Sequence, residues 1–255
     1  MSDLEYILDF VVNLGGRMLG TGANLERVND TMNRICLSYN LNSISIFSLS
    51  RTIIISAKSP GNIPGTRQIA VPLVVTHLEK LRRLNQLSRK VCAETPPPHT
   101  LAGLLDKAEE VKEYPLPVII LGYMIALASM CKIFGGSLGD MVSADIITII
   151  LSGITRQLGR LCLNRIISNA LCMWIAGSLA ALFVFTGIGE HYPIIIITCS
   201  MMILPGIPLV NAVRNIFCGN EMNGILEILK VMLETMAIVA GFCTSIYMFG
   251  GLVQW

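Results

Sequence analysis

Charged residues are scarce in this sequence. Asp, Glu, Lys and Arg together make up 14% of the 255 residues, whereas hydrophobic residues make up 53%. Soluble globular chains carry about 25% charged residues, so this composition argues against an ordinary soluble domain. The formal net charge is only +2, and the sequence has no basic cluster with interleaved aromatic residues. Nucleic acid is therefore not expected as a partner.

Signatures of catalysis and of metal binding are lacking as well. The sequence contains no GxSxG, HExxH or P-loop motif, so no catalytic residue is assigned and no enzyme activity is expected. Its eight cysteines include no CxxC pair, and most lie in or beside apolar segments, where we expect small buried residues. We therefore predict neither a metal site nor a cofactor. The chain starts with Asp3 and Glu5 instead of positive charges, so a signal peptide is not predicted.

The charges that are present are distributed unevenly along the chain. Residues 1–114 hold 13 of the 19 Lys and Arg residues and 11 of the 17 Asp and Glu residues. The helical and alternating apolar patterns of this part predict a small α+β domain with about four helices and two or three strands. Residues 115–255 are predicted to form a transmembrane domain. The expected fold is an α-helical multi-pass membrane protein with about five spans and an N-terminal cytoplasmic α+β domain.

Five apolar segments come close to the ~20 residues that a bilayer crossing requires. They lie near residues 116–134, 138–155, 166–188, 193–213 and 234–253. Arg156, Arg160 and Arg165 lie between the second and third segments, and Arg214 follows the fourth. Because positive charge collects on the cytoplasmic side, the amino terminus is predicted to be cytoplasmic and the carboxyl terminus external.

The fourth segment is interrupted by the sequence PGIP. Proline inside a helix removes a backbone hydrogen bond at a cost of ~3 kcal/mol, and this segment contains both Pro205 and Pro208 around Gly206. In transporters, interrupted helices free backbone groups that bind substrate near the midplane of the membrane. Asn211, three residues further on, would then contact the substrate through its amide. The alternative is a packing kink that binds no ligand.

The second segment contains an acidic residue, Asp145. A carboxylate inside a bilayer costs at least ~2.5 kcal/mol, so it normally faces a cavity or a partner. Thr148 and Ser152 extend it into a polar stripe, which is predicted to line a transport pathway with Asp145 coupling transport to protons. Alternatively, Asp145 lies near the outer interface or forms an ion pair with Lys132 or Arg156.

The fifth segment begins with a charged face. Glu227, Lys230 and Glu234 are spaced three and four residues apart, which favours an interfacial cluster of mutually paired side chains. A proton relay is the alternative interpretation. The candidates for a charge-pair or coupling role are Lys132, Asp140, Arg156, Glu227, Lys230 and Glu234.

Three motifs resemble the threonine/serine exporter-like family. They are GANLERVNDTMNRICLSYNL, CKIFGGSLGD and ILPGIPLVNAVRNIFCGNEMNG. The chain most closely resembles the larger subunit of the split, two-component form, which includes a dicarboxylate (succinate) exporter. The resemblance covers nearly the whole chain, and Pro-Gly-x-Pro-Leu-x-Asn-Ala is its most specific part. Two positions differ: an acidic residue is frequent in the family where Asn215 stands, and a basic one is frequent near Glu227.

This resemblance implies a location and a set of partners. It implies the bacterial plasma (inner) membrane, membrane lipid as surroundings, a second small multi-pass membrane subunit, an oligomer and a small-molecule substrate. The functional hypothesis is a subunit of a secondary exporter for threonine and serine or a dicarboxylate such as succinate, coupled to an ion or proton gradient. The alternative is a membrane-anchored enzyme or a metabolite sensor whose site lies in the cytoplasmic domain.

Overall fold

The computed structural model describes residues 2–49, 51–71, 76–111, 114–161 and 164–252. The chain forms two compact units. The first unit contains the described residues up to 111 together with Pro208–Ile228, and the second contains residues 114–207 and 229–252. The sequence-based division at residue 114 differs from this grouping because it places Pro208–Ile228 in the transmembrane domain.

The first unit combines helices with an antiparallel sheet. Its helices up to residue 111 are α1 (Asp3–Gly20), α2 (Leu25–Ser38), α3 (Leu78–Glu94) and α4 (Leu101–Glu109). Its strands are β1 (Asn42–Leu49), β2 (Thr52–Lys58) and β3 (Pro64–Ala70). The strand order is β1-β2-β3, with both neighbouring pairs antiparallel.

Helix α1 and strand β2 contribute much of the core of this unit. Leu8, Val11 and Leu14 of α1 are fully buried, as their three-residue spacing predicts. In β2, alternate residues Ile53 and Ile55 are fully buried, so one face of the sheet points into the same hydrophobic core. This core holds α1, α2 and α3 around the sheet.

The second unit is helical and contains the apolar segments. Its helices are α5 (Leu116–Ile133), α6 (Leu138–Arg160), α7 (Arg165–Phe185), α8 (Tyr192–Ile203) and the later part of α10 (Glu221–Phe249). The remaining helix, α9 (Gly206–Phe217), follows α8 after a bend of 62°.

The number of membrane spans in the structure is three or four within the described residues. By length and composition, α5, α6 and α7 can each cross a membrane, and the bent pair α8–α9 adds a fourth span if it counts as one crossing. The fifth predicted span, near residues 234–253, falls on α10, which is not among these helices, and its last residue lies outside the described part of the chain. Five spans therefore remain a prediction.

Contacts within the second unit show how its helices run. Gly139, at the start of α6, lies against the backbone of Ile188, which precedes the start of α8. Arg165 at the start of α7 approaches Glu234 of α10 at 3.8 Å, and Gly177 further along α7 lies against Ser245. Helices α7 and α10 therefore run in the same direction, as do α6 and α8. Successive membrane crossings require this alternation.

Helices α7 and α10 approach each other closely at Gly241. A Cβ atom at this position would overlap the backbone carbonyl of Ala170. We expect Gly241→Ala to separate the two helices and to destabilise the protein by roughly 1–3 kcal/mol. Thermal unfolding of the detergent-solubilised protein measures this loss as a lower melting temperature.

The control for this prediction is Gly153→Ala on α6. No atom lies within 4 Å of a Cβ placed at Gly153. Since alanine favours a helix over glycine by ~1 kcal/mol, this variant should melt at the same temperature or slightly higher. If both variants melt alike, the close approach of α7 and α10 is wrong.

Candidate functional site

Asp145 is a partly buried acid about two turns after the start of α6. Its Oδ1 atom is enclosed and has no hydrogen-bond partner among the described residues. Lys132 and Arg156, the two cations considered as ion-pair partners, are exposed, and neither is ion-paired to Asp145 in the described part of the chain. A buried carboxylate oxygen without a partner is costly, which favours a ligand, a proton or water as its complement.

The surroundings of Asp145 come from α5 and α8. Thr198 of α8 is fully buried and lies beside the thiol of Cys131 on α5. Asp145 is close enough to act electrostatically on both Cys131 and Cys199. We call Asp145, Cys131, Thr198 and Cys199 the Asp145 pocket.

The other two residues of the predicted stripe are satisfied within their own helix. The hydroxyl of Thr148 donates to the carbonyl of Ala144 at 2.7 Å, and that of Ser152 donates to the carbonyl of Thr148 at 2.7 Å. Their oxygen lone pairs can still accept hydrogen bonds. Asp145 is therefore the residue of the stripe that needs a partner.

The helix break lies shortly beyond the Asp145 pocket on α8. Pro205 has no N–H to donate to the carbonyl of Met201, and the N–H of Gly206 donates to the carbonyl of Leu204 at 2.8 Å. The end of α8 therefore has a carbonyl that the helix does not satisfy. Cys199 and Leu204 are five residues apart, which corresponds to about 7.5 Å along the helix axis.

The two prolines of the PGIP segment fall in different units. Pro205 and Gly206 belong to the second unit, whereas the first unit takes over at Pro208. Asn211 therefore lies in the first unit, where its amide donates to the carbonyl of Gly22 at 3.4 Å. This placement differs from the predicted substrate contact near the break, because Asn211 already has a protein partner.

A buried polar network joins the α1–α2 connection to the segment after the break. The amide of Asn24, which caps α2, donates to Oδ1 of Asn215 at 3.0 Å. Asn215 in turn donates to Oε2 of Glu227 at 3.0 Å. Asn24 and Asn215 are 6% and 2% exposed, so these bonds are shielded from water. The network explains why Pro208–Ile228 belongs to the first unit.

The charged residues at the start of the fifth segment, like the two prolines, belong to two different units. Glu227 bonds to Asn215 in the first unit, whereas Glu234 belongs to the second unit and lies 3.8 Å from Arg165. Glu234 is only 3% exposed, and Lys230 is exposed. The sequence predicts that Glu227, Lys230 and Glu234 form one mutually paired cluster. This prediction is corrected for Glu234, whose ion-pair partner is Arg165.

Asp140, the remaining coupling candidate, is a fully buried acid near the start of α6. Its carboxylate accepts hydrogen bonds from the backbone N–H groups of Ser137, Glu190 and His191 at 2.8–2.9 Å. A fourth contact, 2.9 Å long, joins it to Nδ1 of His191. Asp140 thus holds the connection between α7 and α8 against the start of α6, which is a structural role.

Some of these residues carried no signal in the sequence analysis. Thr198 lies in an apolar helix and was not singled out, whereas Asn215 was noted only as a position that differs from the family, and its partner Asn24 is distant in sequence. Asn24 could have been found as an N-cap, because it directly precedes the amphipathic helix α2. Among the described residues, no group of three or more His, Cys, Asp or Glu side chains could hold a metal ion.

The structure defines a helical protein with three or four candidate membrane spans in its described part, a proline break after α8, and an Asp145 Oδ1 atom without a hydrogen-bond partner among the described residues. Comparison with protein families then places it more narrowly. The model of the ThrE family, described as "Putative threonine/serine exporter", matches residues 9–249, nearly the whole chain. The chain belongs to this family. No curated protein and no solved structure matches it.

Proposed function

We propose that this protein exports threonine and serine across the bacterial inner membrane, along a pathway that passes the Asp145 pocket. The observation that supports this proposal is the buried Oδ1 atom of Asp145 without a partner among the described residues. The α-ammonium group of an amino acid would supply the missing partner through a charge-assisted hydrogen bond. Family membership agrees with a substrate of this kind.

The same carboxylate discriminates between the two substrate classes considered above. An ionised Asp145 attracts the ammonium group of threonine or serine but repels a dicarboxylate, and a low-dielectric site strengthens both effects. Threonine and serine also carry a hydroxyl group. The carbonyl of Met201, which cannot receive a hydrogen bond from Pro205, would accept one from that hydroxyl.

Asp145 also supports a proposal for the energy source. A carboxylate that binds either a proton or the substrate couples the two movements, so the proton gradient would drive export.

In the proposed orientation, the end of the second unit that contains Arg165 faces the cytoplasm. Arg156 and Arg160 lie at the same connection between α6 and α7, and positive charge collects on the cytoplasmic side.

A second small membrane subunit completes the proposed exporter. Only 11% of the α5 window is buried, compared with 33% for α6 and for α7. The face of α5 is therefore available to lipid or to another membrane helix. In the split form that this chain resembles, a separate chain would provide such a helix.

The experiment that tests the proposal is efflux of radiolabelled threonine, serine and succinate from cells depleted of their own exporters. The chain is expressed alone and with the neighbouring small membrane subunit. We expect threonine and serine efflux only when both are present. Efflux of succinate alone would overturn the amino-acid substrate, and efflux by the single chain would overturn the two-component form. If none of the three leaves the cells faster, the export proposal fails for these substrates.

A further inference from the structure

A polar groove lies between α2 and α3 in the first unit. Its volume is about 500 Å³, and Arg27, Asp30 and Arg34 of α2 line it opposite Asn85, Ser88 and Arg89 of α3. A second concavity of about 380 Å³ continues along α3 and shares Arg27, Asn85 and Arg89 with the first. Pockets for small molecules commonly measure 300–1,000 Å³, so the groove is large enough for one.

Two of the arginines in these concavities are already neutralised. Arg34 pairs with Asp30 at 3.0 Å. Arg82, in the second concavity, donates two hydrogen bonds to Glu79 at 2.6 and 2.7 Å. Hydrogen bonds from Arg82 and Arg83 lower the pKa of Glu79 to about 2, so this carboxylate stays ionised at neutral pH.

The other two arginines, Arg27 and Arg89, have no such partner. Both are exposed, and in the described part of the chain neither side chain forms a hydrogen bond or an ion pair. They belong to different helices but line the same groove, so a ligand between α2 and α3 meets both positive charges.

The remaining polar groups of the groove use their donors internally. The hydroxyl of Thr31 donates to the carbonyl of Arg27 at 2.8 Å, and that of Ser88 donates to the carbonyl of Asn85 at 2.9 Å. The amide of Asn85 donates to the carbonyl of Leu81 at 2.8 Å. The two unpaired guanidinium groups are therefore the strongest free donors, which favours a ligand rich in negatively charged acceptors.

The two walls of the groove are held in place by the core beneath them. Val28 and Met32 of α2 and Leu84 and Val91 of α3 are all fully buried in one hydrophobic cluster. The helix backbones that carry Arg27 and Arg89 are thus fixed before a ligand arrives. Preorganisation of this kind lowers the entropic cost of binding.

We propose that this groove binds a small oxyanion with at least two negative charges, through Arg27 and Arg89. A guanidinium group offers parallel N–H donors that match a carboxylate or a phosphate group. A soluble dicarboxylate, a soluble phosphate compound and the headgroup of an acidic phospholipid share this chemistry. The groove is a ligand site separate from the Asp145 pocket, because all the residues that line it belong to the first unit.

Helix α2 links the groove to the segment that follows the helix break. Arg27 lies one turn after Asn24, which bonds to Asn215, and next to Glu26, which lies 3.6 Å from Arg214. Helix α2 and its N-cap therefore contribute both a wall of the groove and contacts with the segment Pro208–Ile228.

The test is titration calorimetry on the full-length protein in non-ionic detergent, with pyrophosphate and succinate as soluble probes. Vesicle flotation, with and without phosphatidylglycerol, tests the lipid headgroup. We expect Arg27→Gln and Arg89→Gln each to weaken binding by roughly 10- to 100-fold, as loss of a charge-assisted hydrogen bond predicts. Both side chains are exposed, so the variants should fold, which their melting temperatures would verify.

Two control variants establish whether binding depends on the groove itself. Lys90→Gln removes the same charge from the next residue of α3, which does not line the groove, and should leave binding unchanged. Asp145→Asn should also bind the oxyanion normally, even if it no longer transports. If the protein binds the phosphatidylglycerol vesicles but neither soluble probe, the site is assigned to the lipid headgroup. The proposal is overturned if no probe binds, or if Lys90→Gln weakens binding as much as Arg27→Gln does.

Discussion

Replacing Asp145 with asparagine is expected to lower threonine and serine efflux by roughly 10- to 100-fold, because the substrate's ammonium group loses a charged hydrogen-bond partner. The substitution keeps the size of the side chain and removes only its charge. Since the Oδ1 atom of Asp145 has no hydrogen-bond partner in the described part of the chain, the fold should not depend on the carboxylate. Efflux assays with labelled amino acids measure the loss directly, and the amount of protein in the membrane corrects for expression.

The matched control for Asp145→Asn is Glu190→Gln. Glu190 is an exposed acid in the connection between α7 and α8, and its contact with Asp140 uses its backbone N–H. The same change from acid to amide should therefore leave transport intact. If Asp145→Asn transports at the rate of the control, Asp145 does not line the pathway.

The pH dependence of the Asp145→Asn variant tests proton coupling separately. A carboxylate that alternately binds a proton and the substrate makes efflux depend on an imposed pH gradient, and asparagine cannot take part in that exchange. We expect residual efflux by the variant to be insensitive to the gradient in proteoliposomes. An unchanged rate and an unchanged pH dependence would together end the coupling role of Asp145.

Replacing Asp140 with asparagine should instead destabilise the fold. Asp140 is fully buried and accepts from three backbone N–H groups, in addition to its contact with His191. Asparagine has one acceptor oxygen and would direct an N–H₂ group at backbone donors. Breaking a buried charged network by changing one member costs roughly 3–5 kcal/mol. A lower melting temperature and a lower yield of folded protein in detergent are the expected results.

His191→Gln is the control that separates the contribution of the buried backbone N–H groups from that of the exposed His191 side chain. The side chain of His191 is 52% exposed, so its contact with Asp140 is weakened by solvent. The backbone N–H of His191 still bonds to Asp140 after this change. The variant should lose less than ~1 kcal/mol. A stable Asp140→Asn protein that has nevertheless lost transport would show that the structural role is wrong.

Several features of the fold follow from local sequence patterns. The spacing of Leu8, Val11 and Leu14 predicts the buried face of α1, and the run of three isoleucines at residues 53–55 predicts a strand. The break after α8 follows from proline chemistry, since Pro205 cannot donate a backbone hydrogen bond. Periodicity and proline act over a few residues, so a single sequence is enough to detect them.

The grouping of Pro208–Ile228 with the first unit could not be predicted in this way. Asn24 and Asn215 are separated by 191 residues, and Asn211 and Gly22 by 189. Nothing in the local pattern around Asn215 indicates that its amide will meet another amide from the α1–α2 connection. Such pairs form because the folded backbone brings them together, so they are visible only in the tertiary structure.

Asp140 and Asp145 show most clearly what the sequence alone reveals and what the tertiary structure adds. The sequence by itself determined a membrane protein with a broken helix, through scarce charge, long apolar runs and two prolines. It also placed both acids on the same apolar segment, five residues apart, where either could have been the functional one. Only the tertiary structure shows that their hydrogen-bond environments differ. The connection between α7 and α8 brings backbone N–H groups to Asp140, whereas the Oδ1 atom of Asp145 has no hydrogen-bond partner among the described residues.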